Sequence, residues 1–191
     1  MSTRIFDLAK AAYDDSINDL RNMTNITAKA LRQMGASYDP RVTLNQFDIL
    51  LQYSMLQIAL ADGYLDENEV LFIRDVAQYS DFCVFLNQHG FEDVTWQKIY
   101  NTRESTLNRI LDDAKADIMD LSEDFITVFA TCDAITEYDF VSDLKRNVVA
   151  LILATCQADG DAEASELNNG CLIVSAISEI ERRKSLIESR L

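Results

Sequence analysis

One acidic corner occurs twice in this chain. Ala61-Asp62-Gly63-Tyr64-Leu65-Asp66-Glu67-Asn68-Glu69 stands in the first half, and Ala158-Asp159-Gly160-Asp161-Ala162-Glu163-Ala164-Ser165-Glu166 stands near the other end. Laid on each other, Ala-Asp-Gly meets Ala-Asp-Gly, Asp66 meets Glu163, and Glu69 meets Glu166. An apolar run precedes each copy and a run with helical spacing follows it. A recurring helix–turn–helix unit constrains the fold strongly, because each copy has an apolar face that its neighbours must cover.

Composition agrees with helices. Of 191 residues only Pro40 is a proline, five are glycine, and 48% are hydrophobic. So few breakers over such a length favour long helices, and no stretch reads as a strand. The expected fold is therefore all-α: one helical bundle containing the two helix–turn–helix repeats, an N-terminal helical arm and a long C-terminal helix. The arm is placed at residues 1–38 and the bundle at residues 39–191.

The formal charge of −15 argues against a nucleic-acid partner, which is bound by neutralising phosphates with Lys and Arg. It argues equally against an anionic membrane surface. Cations, basic protein surfaces and plain solubility all suit it. Cys83, Cys132, Cys156 and Cys171 form no CxxC pair, and the last three lie in apolar helical runs as small core residues. No basic-then-apolar leader and no membrane-spanning run is found, which reads as a soluble, cytoplasmic protein.

Taken in order, residues 2 to about 35 carry Ile5, Leu8, Ala12, Leu20, Met23, Ala30, Leu31 and Met34 at helical steps, thin around residues 13–19. Such an arm either covers its own core or pairs with a partner. Residues 36–42 read as a loop, and Thr43 as the cap of a helix to about residue 61. Gly63 suits the left-handed position after that helix. Asp66 caps the next helix, with Glu69 as its capping-box partner. Asp81 starts a short helix that His89-Gly90 ends, with His89 as a helix-end residue. Thr95 caps a helix with a polar middle, Asn101–Ser105, running to Ile118, and Ser122 caps another. In residues 139–158 the run Val148–Ala154 is apolar on all sides, which predicts central burial. A last helix then runs to the end through Leu167, Leu172, Ile173, Ile177, Ile180 and Ile187, with Gly170 inside it.

The pattern of an apolar helix, Ala-Asp-Gly, an acid three residues beyond the glycine, and a Glu three residues beyond that resembles the signature of the TerB-like family over about residues 43–175. That family includes a tellurite-resistance protein and the N-terminal domain of a membrane-anchored DnaJ-like co-chaperone. The resemblance implies a helical bundle with two pseudo-symmetric halves and a bacterial stress-response or defence setting. It also implies that Asp62, Glu69, Asp159 and Glu166 form a metal site or a negatively charged patch, with Asp66 and Glu163 at the intermediate position.

The chemistry of these acids admits two readings. Asp62 and Asp159 sit at helix ends whose carbonyls are already a negative pole. If the corners converge, the carboxylates repel one another unless a cation or protons neutralise them. An all-oxygen set without His or Cys fits Ca²⁺, Mg²⁺ or Mn²⁺. In the other reading Asp66, Glu69, Glu163 and Glu166 are caps, and Asp62 and Asp159 bond the backbone of their own turns.

Elsewhere, Trp96 with Tyr100 reads as core. Asp112, Asp113, Asp117, Asp120, Glu123 and Asp124 read as a solvated face that can meet a basic partner. No Ser/His/Asp or Cys/His set and no phosphate-cradling loop can be assembled, and paired carboxylates at tight turns make a poor hydrolase. The expected function is a non-enzymatic TerB-like module that binds a divalent cation or presents an acidic cleft. The alternative is a metal-free adaptor that meets a partner, or itself, through its terminal helices.

Overall fold

Four helices in this chain begin where a side chain, Asp39, Asp66, Thr95 or Asp139, accepts a free backbone N–H, and left-handed glycines follow three helix ends, at Gly35, Gly63 and Gly90. The structure, a computed structural model, describes residues 3–77 and 80–158 together with 174, 175, 178, 179 and 182. Seven helices are defined: α1 (Thr3–Gln33), α2 (Pro40–Ala59), α3 (Glu67–Val76), α4 (Ser80–Gln88), α5 (Trp96–Tyr100), α6 (Glu104–Thr136) and α7 (Phe140–Thr155). No strand occurs among the described residues, so the protein is an all-α bundle.

The central element is α2. Asp39 is its N-cap, accepting from the backbone N–H of Arg41, and Pro40 opens the helix. The start thus lies earlier than the expected cap at Thr43, because proline at the first helical position surrenders an N–H that has no partner anyway. Thr43 is buried instead, and its hydroxyl accepts from the Tyr38 hydroxyl at 2.7 Å. From Leu50 to Leu56 every α2 residue is buried, so this helix is covered on all sides. Helices α1, α3, α4, α6 and α7 all pack on it. Tyr53 reaches out of α2 to donate to the carbonyl of Leu111 on α6 at 3.0 Å. Burial, with Asp112 nearby, pushes the Tyr53 phenol up to about 12.

Central burial was expected of α7, and there the structure differs. Leu153 is 47% exposed and Ala150 is exposed, while Val148, Leu151, Ile152 and Ala154 face inward. Helix α7 is amphipathic and lies against α1, α2, α3 and α6. Its start is doubly capped. Asp139 accepts from the N–H of Ser142, and Asp133, near the end of α6, accepts from the N–H groups of Phe140 at 3.1 Å and Val141 at 3.3 Å. Asp133 is 1% exposed, and its charge is placed where the free N–H groups of a helix start favour it.

The N-terminal helix packs into the same core. Its buried stripe is Ala9, Ala12, Tyr13, Ser16, Ile17, Leu20, Met23, Thr24 and Thr27, and Leu8 and Met34 are exposed. The expected thin region, residues 13–19, therefore holds part of the contact. Ser16 buries its hydroxyl by donating to the Ala12 carbonyl at 2.7 Å, one turn back. Lys10 donates to the Val76 carbonyl at the end of α3, where a cation suits the negative helix pole.

Two helices were expected with other bounds. Thr95 does cap α5, accepting from Lys98 N–H at 3.1 Å, but the chain leaves helical geometry after Tyr100 and restarts at Glu104. Helix α6 then runs through position 122 without a break, so no new helix starts at the expected cap, Ser122. Cys132 and Cys156 are buried and Cys83 is partly buried. Burial pushes the Cys132 thiol up to about 11, so it stays protonated and inert at neutral pH. Cys171, and the expected last helix beyond the second corner, lie outside the described residues, apart from a few helical positions of which Val174 packs on the core.

Candidate functional site: an acidic corner and an acid-walled groove

The first acidic corner joins α2 to α3. Leu60 closes α2, and the N–H of Gly63 returns to the Leu60 carbonyl at 3.1 Å. Gly63 has φ +85°, and a Cβ built there would meet nothing within 4 Å, so the glycine serves the left-handed backbone and not a tight space. Asp62 folds back over the turn and accepts from the N–H of Tyr64 at 2.8 Å. Asp66 accepts from Asn68 N–H at 2.7 Å, and Glu69 accepts from Asp66 N–H at 2.7 Å, which closes a capping box. Leu65 and Val70 flank the box at staple positions, and both are buried. Glu69 is 6% exposed, so its carboxylate is tied into the corner and not held out to solvent.

The corner therefore brings Asp62, Asp66 and Glu69 into one turn, each accepting from backbone of its own turn. Asp159, Glu163 and Glu166 lie outside the described residues. Among the described residues no three His, Cys, Asp or Glu side chains are grouped to hold a metal ion. The helix leading to the second corner, α7, packs on both α2 and α3, the two helices that flank the first.

A second acidic feature lies elsewhere on α2. Between α2, α4 and α6 a groove of about 420 Å³ opens to solvent. Helix α2 contributes Asn45 and Ile49, α4 contributes Val84, Phe85 and Gln88, and α6 contributes Asp117 and Asp120. The floor is apolar: Phe85 is buried, Ile49 is half-buried, and Val84 stands 56% exposed. One wall is acidic, since Asp117 and Asp120 lie on one face of α6 and both are exposed. No Lys or Arg is among these lining residues.

Helix α4 is held in place by aromatic and backbone chemistry. Phe82 and Phe85 stack at 6.4 Å, and the Phe85 ring meets the His89 imidazole at 4.6 Å. Gly90, at φ +84°, ends the helix, and Phe91 N–H returns to the Leu86 carbonyl at 3.0 Å. His89 stands at that end as expected. Its Nε2 lies 3.3 Å from an Asp117 carboxylate oxygen, an ion-pair distance without hydrogen-bond geometry, so the end of α4 lies beside the wall of the groove.

Sequence reasoning singled out the acidic face of α6 but missed the groove beside it. A signal was present in Phe82-Cys83-Val84-Phe85-Leu86, since five successive apolar residues exceed what one helix face can bury. A buried polar set was also missed. Tyr13 donates to Asp48, and Gln52 donates to the other Asp48 oxygen at 2.9 Å, which ties α1 to α2 inside the core. Trp96 and Ile99 are buried, in keeping with a core role.

Among the described residues, no helix is long and apolar enough to cross a membrane. No family model, curated protein or solved structure matches the chain, and the resemblance to the TerB-like family rests on the duplicated corner.

Proposed function

We propose that this chain is a non-enzymatic interaction module of TerB-like kind, one that presents an acidic cleft to another protein. The observation that carries this is the groove between α2, α4 and α6, where an apolar floor meets a wall of exposed carboxylates. A concave apolar patch with a few polar groups at its rim is the usual form of a recognition site. Val84 supports the reading further, because it adds apolar surface, 56% exposed, to the floor of the same groove. A bacterial stress-response or defence setting follows from the resemblance of the duplicated corner.

The test is a photo-crosslinking amino acid placed at Val84 in the cells that make the protein, compared with one at Leu153 on α7, which is also exposed. Discrete adducts from position 84 and none of the same size from position 153 are expected. Equal patterns from both positions would remove the groove as the functional face.

The cation form of the module is a second reading, favoured by the packing of α7 on both α2 and α3. It requires Asp159, Glu163 and Glu166 to meet Asp62, Asp66 and Glu69, whose second carboxylate oxygens would then coordinate Ca²⁺, Mg²⁺ or Mn²⁺. A melting curve with each ion decides it, because an ion held only by the folded form raises the melting temperature. The reading expects a rise that Asp62→Asn and Asp159→Asn each abolish. Equal melting with and without the ions leaves the corners as caps.

A further inference from the structure

We infer that the groove between α2, α4 and α6 receives one turn of a partner's amphipathic α-helix, two apolar side chains on the floor and Lys or Arg against the α6 wall. This deepens the interaction reading above and rests on it. Length is the first reason. Asn45 to Ile49 and Val84 to Gln88 each rise roughly 6 Å along their helices, so the described lining on α2 and on α4 covers about one helical turn. A trough of one turn admits side chains spaced three or four apart and little more, which is the anchor pattern of a helix laid in a groove.

Charge is the second reason. The wall offers Asp117 and Asp120, also three apart, and among the described lining residues there is no Lys or Arg to answer them. His89 faces Asp117 from the α4 side, while Asp120 is exposed. The rest of the chain does not offset this, with a formal charge of −15. An acidic helix or a second copy of this chain would meet like charge along the wall; a basic helix would be steered toward it. Geometry and charge thus select the same occupant: apolar residues at i and i+3 or i+4, with basic residues on the flank facing α6.

The experiment uses the full chain and three labelled helical peptides of about five turns. One has a leucine face flanked by lysines, one has the same face flanked by glutamates, and one scrambles the leucine–lysine composition so that no face forms. The leucine–lysine helix is expected to bind saturably and to weaken as salt rises. Asp117→Asn with Asp120→Asn should weaken it by about 2- to 25-fold, the range of two exposed ion pairs.

Val84→Asp is the second variant, and it separates floor from field. It adds negative charge, so plain attraction would tighten binding, whereas occupancy of an apolar floor predicts a loss of at least about tenfold. Circular dichroism should show both variants folded, since all three positions are exposed. Equal binding of the scrambled peptide, or unchanged binding by both variants, would overturn the inference in favour of generic attraction to an acidic protein. Equal binding of the glutamate-flanked helix, lost in Val84→Asp, would overturn the basic partner while leaving the groove as the interaction face. Peptide binding through Val84 without cellular cross-links from that position would keep this inference and remove the functional reading.

Discussion

The corner after α2 and the wall of α6 are both acidic, and they differ in what their carboxylates face. At the corner, Asp62, Asp66 and Glu69 accept from the N–H groups of Tyr64, Asn68 and Asp66. At the wall, Asp117 and Asp120 stand on the outer side of a helix, away from either helix end, where no free backbone N–H is within reach. An acid at a helix start is explained by the helix it starts. An acid in the middle of an exposed helical face caps nothing, so apart from the approach of His89 to Asp117 what these acids do must be sought in solvent or in a partner. The duplicated corner is the more conspicuous pattern in the sequence, yet the wall has more carboxylate left to offer.

The largest expected effect tests whether backbone-facing acids matter to stability as this contrast requires. Asp133 stands on the same helix as the wall but near its C-terminal end, is itself buried, and accepts from the first two N–H groups of α7. Asp133→Ala leaves those donors without their charged acceptor in a closed environment. A loss of about 3 kcal/mol is expected, from hydrogen bonds to a charged group worth roughly 1.5–3 kcal/mol each less partial relief by water. For a chain of this size that is a drop of roughly 6–12 °C in melting temperature. A drop under about 2 °C would mean that burial of Asp133 contributes little and that the contrast is drawn in the wrong place.

A smaller effect is expected at the corner itself. Asp66→Ala removes the N-cap of α3 and half of its capping box, which typically costs about 1 kcal/mol, or roughly 2–4 °C here. Asp66→Asn keeps an acceptor at the cap and should recover most of the loss. Thermal melts of the two variants side by side check this. If the asparagine variant falls as far as the alanine variant, the charge of Asp66 is needed for something other than capping, and the corner moves to the side of the wall.

Much of this was open to reading from residues. The left-handed glycines after α2 and α4, the Asp66–Glu69 box and the Thr95 cap follow from local backbone chemistry, and they stand where expected. The acidic face of α6 is visible because helical spacing alone aligns its residues. What was hidden depends on partners far along the chain. The inner face of α1 passes through Ser16, Thr24 and Thr27, whose hydroxyls can bond inside the helix or to a neighbour and so bury without an apolar label. Helix α7 carries Ala150 and Leu153 on its outer side, and only the packing of five helices around α2 shows that α2, with Ser54 and Gln52 in its buried run, is the central helix. The groove needs three helices from three parts of the chain, and no local pattern brings Ile49, Val84 and Asp117 together.

The smallest expected effect is the one the contrast most depends on. Asp117→Asn with Asp120→Asn should leave the melting temperature within about 2 °C of the parent, since surface changes away from caps and core usually stay within about 0.5 kcal/mol. Two opposing contributions make that cancellation specific. Asp113, Asp117 and Asp120 follow one another at helical spacing, so removing two charges relieves like-charge repulsion of roughly 0.2–0.5 kcal/mol per pair. Asp113 keeps its contact with Arg109 at 3.1 Å. Against this, the contact between His89 and Asp117 is weakened, and Asp117 is 63% exposed at that contact, so little stability is at stake. A melt carried out at low and at high salt separates the two, because screening removes the repulsion that the substitutions relieve. The expected result is a slight rise at low salt that vanishes at high salt. A fall of several degrees at both would show that the wall acids hold α4 to α6, and they would then belong with Asp66 and Asp133 as parts of the scaffold.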